Sequence, residues 1–391
     1  MAARGHAPLG SLPPETGCWR AMPLKLVHVF PTFAIGGAQV RFAALADGLG
    51  RGYEHVVVSL DGNCDSLRLV PPGVRLRLRP LSARKGRLGL DNLRTVRDVL
   101  REERPDLLVT YNWGAIEWAL ADRVRPICPH LHVVDGFGPE EAERQLPRRL
   151  WLRRLALSGH TAVVVPSQTL RRLATATWRL DPDKIHHIPN GVDGRVLDDQ
   201  ARRPLDLRRR PGEHLFGTLC GLRPEKNLDR LLRIAAMLPE DPPWRLIVGG
   251  DGPERRALET RACKLGLHER VVFTGFVARP GALLGALDVF ALTSDTEQMP
   301  LSVLEAMALG LPVLATDIGD LRHMLPAESR DGCVFARADE AAFAGRLAAL
   351  LASRDERRRL GALNRAKIAD YQLETMIARY DRLFRRLAGP E

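Results

Sequence analysis

The sequence predicts an α/β protein of two domains, each built around a mainly parallel β-sheet. The chain has 391 residues, which is more than one hydrophobic core usually organises. Short apolar runs alternate with longer amphipathic runs, as they do in βαβ units. A polar stretch rich in Arg and Pro, residues 198–212, interrupts this alternation once, and the pattern then restarts. We therefore interpret residues 198–212 as an interdomain linker.

The first half of the chain is predicted to contain an extension and one domain. Residues 1–21 lack the apolar block and small-residue cleavage site of a secretory signal, so we expect a disordered extension, with Met22 as a candidate translation start. Residues 22–197 are predicted to form the first domain. Its predicted helices are Val40–Leu49 and Leu93–Glu102. Its predicted strands are Leu24–Phe30, His55–Leu60, Val74–Leu78, Leu107–Thr110, Leu131–Val134, Ala162–Val165 and Ile185–Ile188.

The second half repeats the pattern, with a second domain predicted over residues 213–370. Its predicted strands are Leu215–Leu219, Trp244–Val248, Val271–Phe273, Val289–Leu292 and Val313–Ala315. Its predicted helices are Leu228–Met237, Glu254–Lys264, Ala282–Leu287 and Leu301–Leu309. Residues 371–391 contain a last amphipathic helix, which we expect to return to the first domain. Ligands of such sheets bind at the carboxyl ends of the strands, so the predicted site is the cleft between the domains.

Charge and composition narrow the classes of partner. The formal net charge is +11, from 58 Lys and Arg against 47 Asp and Glu. This excess suggests nucleic acid, an acidic membrane face or a phosphorylated small molecule, although it is also consistent with an Arg-rich composition alone. Aromatic residues make up only 5%, and no basic stretch is interleaved with stacking rings. The composition therefore disfavours nucleic acid as a partner.

The hydropathy and the cysteine spacing of the sequence indicate where in the cell the protein is located. No run approaches the about 20 apolar residues needed to cross a bilayer. The six cysteines lie far apart without a C-x-x-C pair, which argues against a zinc site or a disulfide framework. We therefore expect a cytoplasmic protein, with a possible location at the inner face of the membrane.

One segment, Thr293–Pro312 (TSDTEQMPLSVLEAMALGLP), predicts a ligand site. Pro300 suits the first turn of a helix and Gly310 a helix end, so Glu297 falls in the loop before the helix and Glu305 within it. Free N–H groups at a helix start favour an anion. Glu297 and Glu305 could accept hydrogen bonds from sugar and ribose hydroxyls. The alternative is that both are acidic residues without a ligand.

This segment resembles the E-x7-E signature of the family 4 retaining glycosyltransferases. Three further segments resemble motifs of that family in the same order along the chain. They are Ala34–Gln39 (AIGGAQ), Gly221–Asn227 (GLRPEKN) and Val248–Pro253 (VGGDGP). The resemblance implies a GT-B fold, with a nucleoside-diphosphate sugar held mainly by the second domain and a saccharide or lipid-linked acceptor held mainly by the first. It also implies metal-independent transfer with retention at the anomeric carbon and no cofactor, as in polysaccharide or glycolipid biosynthesis.

The resemblance also assigns roles to residues. Arg223 and Lys226 correspond to the family's diphosphate motif, although Gly221 stands where an Arg is common, so we infer that Arg223 substitutes for it. Catalytic roles are expected for His132, Glu297, Arg223 and Lys226. Roles in binding substrate or nucleotide are expected for Gly36, Gly37, Asp135, Gly250, Asp251, Met299, Pro300, Leu301 and Glu305.

Each assignment has a structural alternative. Arg223 and Lys226 could be solvated loop charges, and Gly36 and Gly37 could form a tight turn. Asp251 could be a turn former, while His132 and Asp135 could have structural roles. Nothing in the sequence matches a dedicated pair of nucleophile and acid, so the resemblance favours front-face substitution.

A basic segment gives a possible site for an anionic membrane surface. Five arginines surround an apolar aromatic stretch, namely Arg144, Arg148, Arg149, Arg153 and Arg154 around Leu150–Leu155. Such a segment suits a membrane surface and a lipid-linked acceptor, or else a solvated helix packed on the first domain.

Other functions remain as alternatives. The first is another sugar-nucleotide enzyme, such as an epimerase, and the second is a non-enzymatic anion-binding protein. An NAD dehydrogenase is disfavoured, because the first predicted strand is not followed by a G-x-G-x-x-G fingerprint.

Overall fold

Two parallel sheets form the framework of the chain in a computed structural model that describes residues 22–81, 90–137, 139–141 and 145–389. The extension predicted over residues 1–21 lies outside the described residues. The strands of the first half are β1 Leu24–Phe30, β2 Tyr53–Ser59, β3 Leu76–Leu78, β4 Leu107–Tyr111, β5 His130–Val133, β6 Ala162–Val165 and β7 Ile185–His187. Its helices are α1 Gly37–Leu49, α2 Leu90–Glu103, α3 Ile116–Val124, α4 Pro147–Leu157 and α5 Gln168–Arg172.

The second half has the same alternation. Its strands are β8 His214–Leu219, β9 Trp244–Gly249, β10 Val271–Gly275, β11 Val289–Leu292, β12 Val313–Thr316 and β13 Val334–Phe335. Its helices begin with α6 Gly194–Ala201, α7 Leu228–Ala236, α8 Arg255–Lys264, α9 Pro280–Leu284 and α10 Leu301–Ala308. They continue with α11 Leu321–Met324, α12 Glu340–Ala352, α13 Arg354–Lys367 and α14 Leu373–Ala388.

The strand order is β3-β2-β1-β4-β5-β6-β7 in the first sheet and β10-β9-β8-β11-β12-β13 in the second. Every strand pair is parallel. The predicted fold class, two Rossmann-like α/β domains, is confirmed. All the predicted strands are present, with ends within two residues of the predicted ones, while β13 is an addition.

Burial on both faces explains why the strands of the first sheet are continuous apolar runs. Alternate residues of β1 point to opposite faces. Leu26 and Phe30 pack with residues of α1 and α14, whereas Val27 and Val29 pack with residues of α2 and α3. The carboxyl ends of the strands remain at one edge, where loops carry the predicted site residues.

The chain crosses between the domains twice, and the first crossing corrects the predicted linker. Residues 194–201 form α6, whose buried Leu197 belongs to the core of the second domain. The prediction of an irregular linker over residues 198–212 was therefore wrong for 198–201, because one buried leucine in a charged helix gives too weak an apolar period. The first crossing lies just before α6, at Asn190–Asp193.

The second crossing lies before α14, which packs back on the first domain. Met376, Tyr380, Leu383 and Phe384 of this helix are buried in the first domain's core. The two crossings are hydrogen-bonded to each other, because Val192 N donates to Tyr371 O at 3.0 Å and Leu373 N donates to Val192 O at 3.2 Å. No helix in the described part of the chain has the length and apolar character to cross a membrane.

Candidate functional site

The loop after β8 brings Arg223 to the first domain. Its guanidinium Nη2 lies 3.4 Å from the backbone oxygen of Ile35, next to Gly36. A Cβ built on Gly36 would lie 3.3 Å from the same Nη2. Arg223 is thus a half-exposed cation that reaches across the cleft to the Gly-Gly loop.

Lys226, on the same loop, forms an ion pair with Glu297. Its Nζ donates to Glu297 Oε1, which also accepts from the Ser294 hydroxyl at 3.2 Å. Burial opposes the charge of Lys226, but the neighbouring Glu297 carboxylate outweighs burial, so the pKa of Lys226 is raised. Lys226 is therefore a fixed, protonated cation, and the interpretation of it as a solvated loop charge does not fit this environment.

The start of α10 is held against the first domain. Pro300 is the residue just before the helix instead of lying in its first turn, with an extended ψ of 125°, and Leu301 is the first helical residue. The backbone oxygen of Met299 accepts from Asn190 Nδ2 at 2.7 Å, and Met299 Sδ lies 3.3 Å from Asn190 N. Gly310 follows the helix with a φ of +70°, as predicted for a helix end.

Glu305 lies within α10 and is partly buried. Burial raises the pKa of Glu305 to about 7. Near neutral pH this carboxyl group is therefore divided between its neutral and charged forms, and both forms can accept a hydrogen bond from a hydroxyl group.

We expect this carboxyl group to make the stability of the protein depend on pH. Because its pKa is higher in the folded than in the unfolded chain, the folded state binds the proton more tightly. The stabilisation is complete below the unfolded pKa of about 4.3 and is lost as pH rises through 7, by up to about 3 kcal/mol. Urea unfolding at about pH 5 and about pH 8 measures this change.

The Glu305→Gln variant is the control, because it keeps the size of the side chain and removes the titration. Its free energy of unfolding should fall less between these two pH values than that of the wild type. Equal slopes for the two proteins would contradict the prediction.

The loop after β9 packs against the loop after β8. Gly250 has a φ of +123°, and a Cβ there would lie 1.8 Å from the backbone oxygen of Cys220, so only glycine fits. Asp251 accepts from Gly252 N at 2.8 Å, and its other oxygen lies 3.5 Å from Arg255 Nη1. These contacts are those of a turn former, so for Asp251 the structural alternative has support, and a role in nucleotide binding stays a prediction.

The two glycines of the first domain begin α1. Gly36 precedes the helix with an extended φ of −168°, and Gly37 is its first residue. Neither glycine has a positive φ, so a left-handed backbone conformation does not account for them. A Cβ on Gly37 would meet no protein atom within 4 Å. A Cβ on Gly36 would lie 3.0 Å from Gln39 Oε1 and 3.3 Å from Arg223 Nη2, so two side chains approach this glycine closely.

His132 lies inside β5 and is buried. Its Nδ1 is 2.8 Å from Thr110 Oγ1, which also lies 2.8 Å from His130 Nε2. Burial, and to a smaller extent the charge of Arg153, lowers the pKa of His132 to about 3. The imidazole is therefore neutral near pH 7 and suited to a hydrogen bond rather than to a charge.

Asp135 belongs to a polar network that sequence reasoning did not detect. Its carboxylate forms an ion pair with the buried Arg41, and its backbone N–H donates to Asn112 Oδ1 at 2.7 Å. Arg41 Nη1 also donates to Asn190 Oδ1 at 3.2 Å. Burial opposes the charge of Arg41, but the Asp135 carboxylate outweighs it and raises the pKa of Arg41.

This network connects α1 through Asn190 to Met299 at the start of α10. A sequence signal for Arg41 exists, since it stands on the apolar face of α1 between Val40 and Phe42. Asn112 and Asn190 carry no such signal, because short polar residues after strands are common in loops.

The structure therefore brings the predicted residues together in two groups. Arg223 lies against the Gly36 loop, and Lys226 on the same loop pairs with Glu297. Asp135 connects to Met299 through Arg41 and Asn190. The described contacts of His132 and Asp251 are with other residues. In the described ranges, no group of three or more His, Cys, Asp or Glu side chains could hold a metal ion.

Comparison with known families identifies the chain. A family model described as glycosyl transferases group 1 matches residues 204–367, and one described as a glycosyl transferase 4-like domain matches residues 36–191. The two matches follow one another along the chain and together cover most of it, so the chain belongs to the glycosyl transferase families that these models describe. The family match favours transfer of a sugar over the epimerase and the non-enzymatic alternatives.

Relatives of this glycosyltransferase act in several reactions. It is 31% identical over 299 residues to D-inositol 3-phosphate glycosyltransferase of Nocardia farcinica, covering 68% of this chain and 64% of that enzyme. It is 28% identical over 233 residues to UDP-Gal:alpha-D-GlcNAc-diphosphoundecaprenol alpha-1,3-galactosyltransferase of Escherichia coli, covering 56% of this chain and 60% of that enzyme. The match thus spans less than two thirds of the length of these relatives.

A solved structure shares the fold of this glycosyltransferase over nearly its whole length. HepE of Anabaena, in complex with UDP and glucose, aligns with a TM-score of 0.76 at 18% identity and covers 92% of this chain and 99% of that chain. At this identity the likeness shows the fold alone.

Proposed function

We propose that this glycosyltransferase moves a sugar from a nucleoside-diphosphate sugar to a saccharide or lipid-linked saccharide, with retention at the anomeric carbon and without a metal ion. The observation that carries the proposal is the pair of cations on the loop after β8. Arg223 lies against the Gly36 loop of the first domain, and Lys226 is partly buried beside Glu297 in the second. Two cations at the carboxyl edge of the second sheet suit a diphosphate.

The donor class is supported by the relatives as well as by charge. The Escherichia coli relative is named for UDP-galactose, and HepE was solved with UDP and glucose. In this chain Glu305 would accept from the ribose hydroxyls, and the start of α10, Met299–Leu301, would face the phosphates. Gly36 and Gly37 would allow backbone N–H groups to approach the ligand closely.

The chemical step follows from where charge develops. When the bond between the anomeric carbon and the diphosphate oxygen breaks, the diphosphate gains negative charge, and preformed cations lower the energy of that state most effectively. Arg223 and Lys226 supply those cations in this proposal. In this proposal they stabilise the negative charge of the leaving diphosphate, which a metal ion does in other sugar transfers.

Retention is proposed to occur by front-face substitution. One oxygen of Glu297 already accepts from Lys226 and Ser294, which suits a positioning carboxylate better than a nucleophile. The acceptor oxygen would attack the oxocarbenium-like carbon from the face that the diphosphate leaves, and the diphosphate would take the acceptor's proton. Neutral His132 would hold a sugar hydroxyl, and Asp135 would act by fixing Arg41.

A lipid-linked acceptor would place the enzyme at the cytoplasmic face of a membrane. Three arginines of the predicted basic segment are occupied within the protein: Arg149 and Arg153 pair with Glu141, and Arg154 donates to Thr177 O. Arg144 lies outside the described residues. Arg148 and Trp151 of α4 are exposed, as is Leu146 just before the helix, with Leu146 41% and Trp151 61% exposed. An interfacial contact would rest on these three residues.

Calorimetric titration with UDP, GDP, dTDP and ADP tests the donor site. We expect one of these to bind, and both Lys226→Ala and Glu305→Ala to weaken that binding, the former by about 10- to 100-fold, as for a lost charged hydrogen bond. Lys264→Ala, which removes an exposed lysine of the same domain, is the matched control and should bind as the wild type does. No binding by the folded wild type, or equal binding by Lys226→Ala, would contradict the proposed site.

A further inference from the structure

A second basic site lies away from the interdomain cleft, beside the last strand of the first sheet. Strand β7 is the edge strand of that sheet, and it pairs with β6 on one side. A cavity of about 700 Å³ lies between β7, α5 and α14. Its base is apolar, formed by Ile185, Ile188 and Leu383.

Four arginines line this cavity, and we call them the α14 arginine cluster: Arg171, Arg379, Arg382 and Arg386. All four are exposed. Three of them follow one another on α14 at intervals of three and four residues, which places them on one face of the helix. The adjacent flank of α14 holds the apolar residues that pack on the first domain, and Leu383 of that flank also lines the cavity.

Arg385, a neighbour of this cluster on α14, forms an ion pair with a carboxylate, whereas the described contacts of the cluster arginines include none. Arg385 Nε lies 3.1 Å from Asp381, one turn away. Within the described part of the chain, none of the four cluster arginines forms an ion pair with a carboxylate, and no acidic residue lines the cavity. Four cations around one cavity without counter-charges repel one another, and an anion in the cavity would relieve that repulsion.

Two histidines, His186 and His187, also line the cavity, and neither adds a charge to it. Burial, together with the charge of Arg386, lowers the pKa of His186, and burial likewise lowers the pKa of His187. The ring of His187 is held by Gln168 and by the backbone oxygen of Pro166, each at 3.2 Å. The cavity therefore has a neutral wall beside exposed cationic side chains.

We propose that the cavity lined by the α14 arginine cluster binds the phosphate group of an anionic ligand. Guanidinium groups suit phosphate because they donate hydrogen bonds in a planar fork and remain charged. The apolar base strengthens the attraction by lowering the local dielectric constant. The site is separate from the residues proposed to bind the donor diphosphate, so it does not depend on the proposed function.

Two sources of phosphate are distinguished by two binding experiments on the full chain. The first measures sedimentation with vesicles of phosphatidylcholine alone and of phosphatidylcholine mixed in equal parts with phosphatidylglycerol. The second is calorimetric titration with inorganic pyrophosphate. Each compares the wild type with the variant R379Q/R382Q/R386Q and with the control R203Q/R256Q/R358Q, which removes three exposed arginines elsewhere. Thermal unfolding verifies that each variant is folded.

For a lipid headgroup, we expect binding to the mixed vesicles that is roughly 100-fold weaker in the cluster variant and unchanged in the control. For a soluble ligand, we expect a component of pyrophosphate binding that the cluster variant loses and that Lys226→Ala, altered only in the cleft, retains. Either result supports the site and names the source.

The proposal is overturned if the wild type binds neither probe or if the cluster variant binds as the wild type does. It is also overturned if binding to mixed vesicles is lost only in Trp151→Ser, since that result assigns the membrane contact to α4. The exposed position of Trp151 makes this variant a test of that surface without disturbing the core.

Discussion

Replacing Lys226 with alanine is expected to lower kcat/KM for sugar transfer by about 100- to 1,000-fold, the range found when one preorganised donor to a developing anion is removed. Two effects add. The departing diphosphate loses a cation, and the partly buried Glu297 loses the partner of its Oε1 atom. Steady-state kinetics with the nucleotide sugar identified by calorimetry measures the change.

A double-mutant cycle separates these two effects. If the pair acts as a unit, Lys226→Ala combined with Glu297→Gln should be less harmful than the product of the two single changes. Lys264→Ala controls for the loss of one positive charge. A variant Lys226→Ala with wild-type kcat/KM would remove Lys226 from the proposed mechanism.

Replacing Asp135 with alanine is expected to lower the free energy of unfolding by about 3–5 kcal/mol. The side chain of Arg41 is only 4% exposed, so loss of the Asp135 carboxylate leaves a buried guanidinium with Asn190 as its remaining described side-chain acceptor. The position of Asn190, and through it Met299, should also be less well fixed. Urea unfolding of the two proteins at one pH measures the difference.

The matched control for this prediction is Asp331→Ala. Asp331 also pairs with an arginine, Arg322 at 3.1 Å, but its side chain is 90% exposed. Exposed ion pairs contribute about 0–1 kcal/mol, so the control should change stability little. If the two substitutions lowered the free energy of unfolding equally, the buried ion pair would contribute no more to stability than the exposed one, which would contradict the prediction.

The sheets were predictable from the sequence because buried parallel strands are continuous apolar runs. β6 (AVVV) and β11 (VFAL) were predicted with the ends that the structure has. The helix after Pro300 was predictable from its terminal residues, although Pro300 itself stands one place before the helix. The predicted linker was wrong over residues 198–201, because α6 buries only Leu197.

The site residues that belong to a local sequence motif were predictable. The contacts between residues far apart in the sequence were not. The proximity of Lys226 and Glu297 follows from two loops at the carboxyl edges of β8 and β11, which are neighbours in the sheet. The contact of Arg41 with Asp135 and Asn190 joins residues 94 and 149 positions apart. No local pattern encodes such a pairing. The pairing of Arg153 with Glu141, which lies outside the helix, was likewise not encoded by any local pattern, and the membrane contact of this segment stays a prediction.

The paired chain crossings, Asn190–Asp193 and Tyr371–Leu373, have a mechanical consequence. A Cβ on Gly191 would lie 2.6 Å from the backbone oxygen of Gln372, so the two segments run in backbone contact as a narrow ribbon. Two crossings bonded to each other restrict the rotation of one domain relative to the other more than a single crossing would. We therefore expect the domains to open and shut along a single arc. Two reactants carried by opposite domains would then meet in the same mutual orientation at every closure.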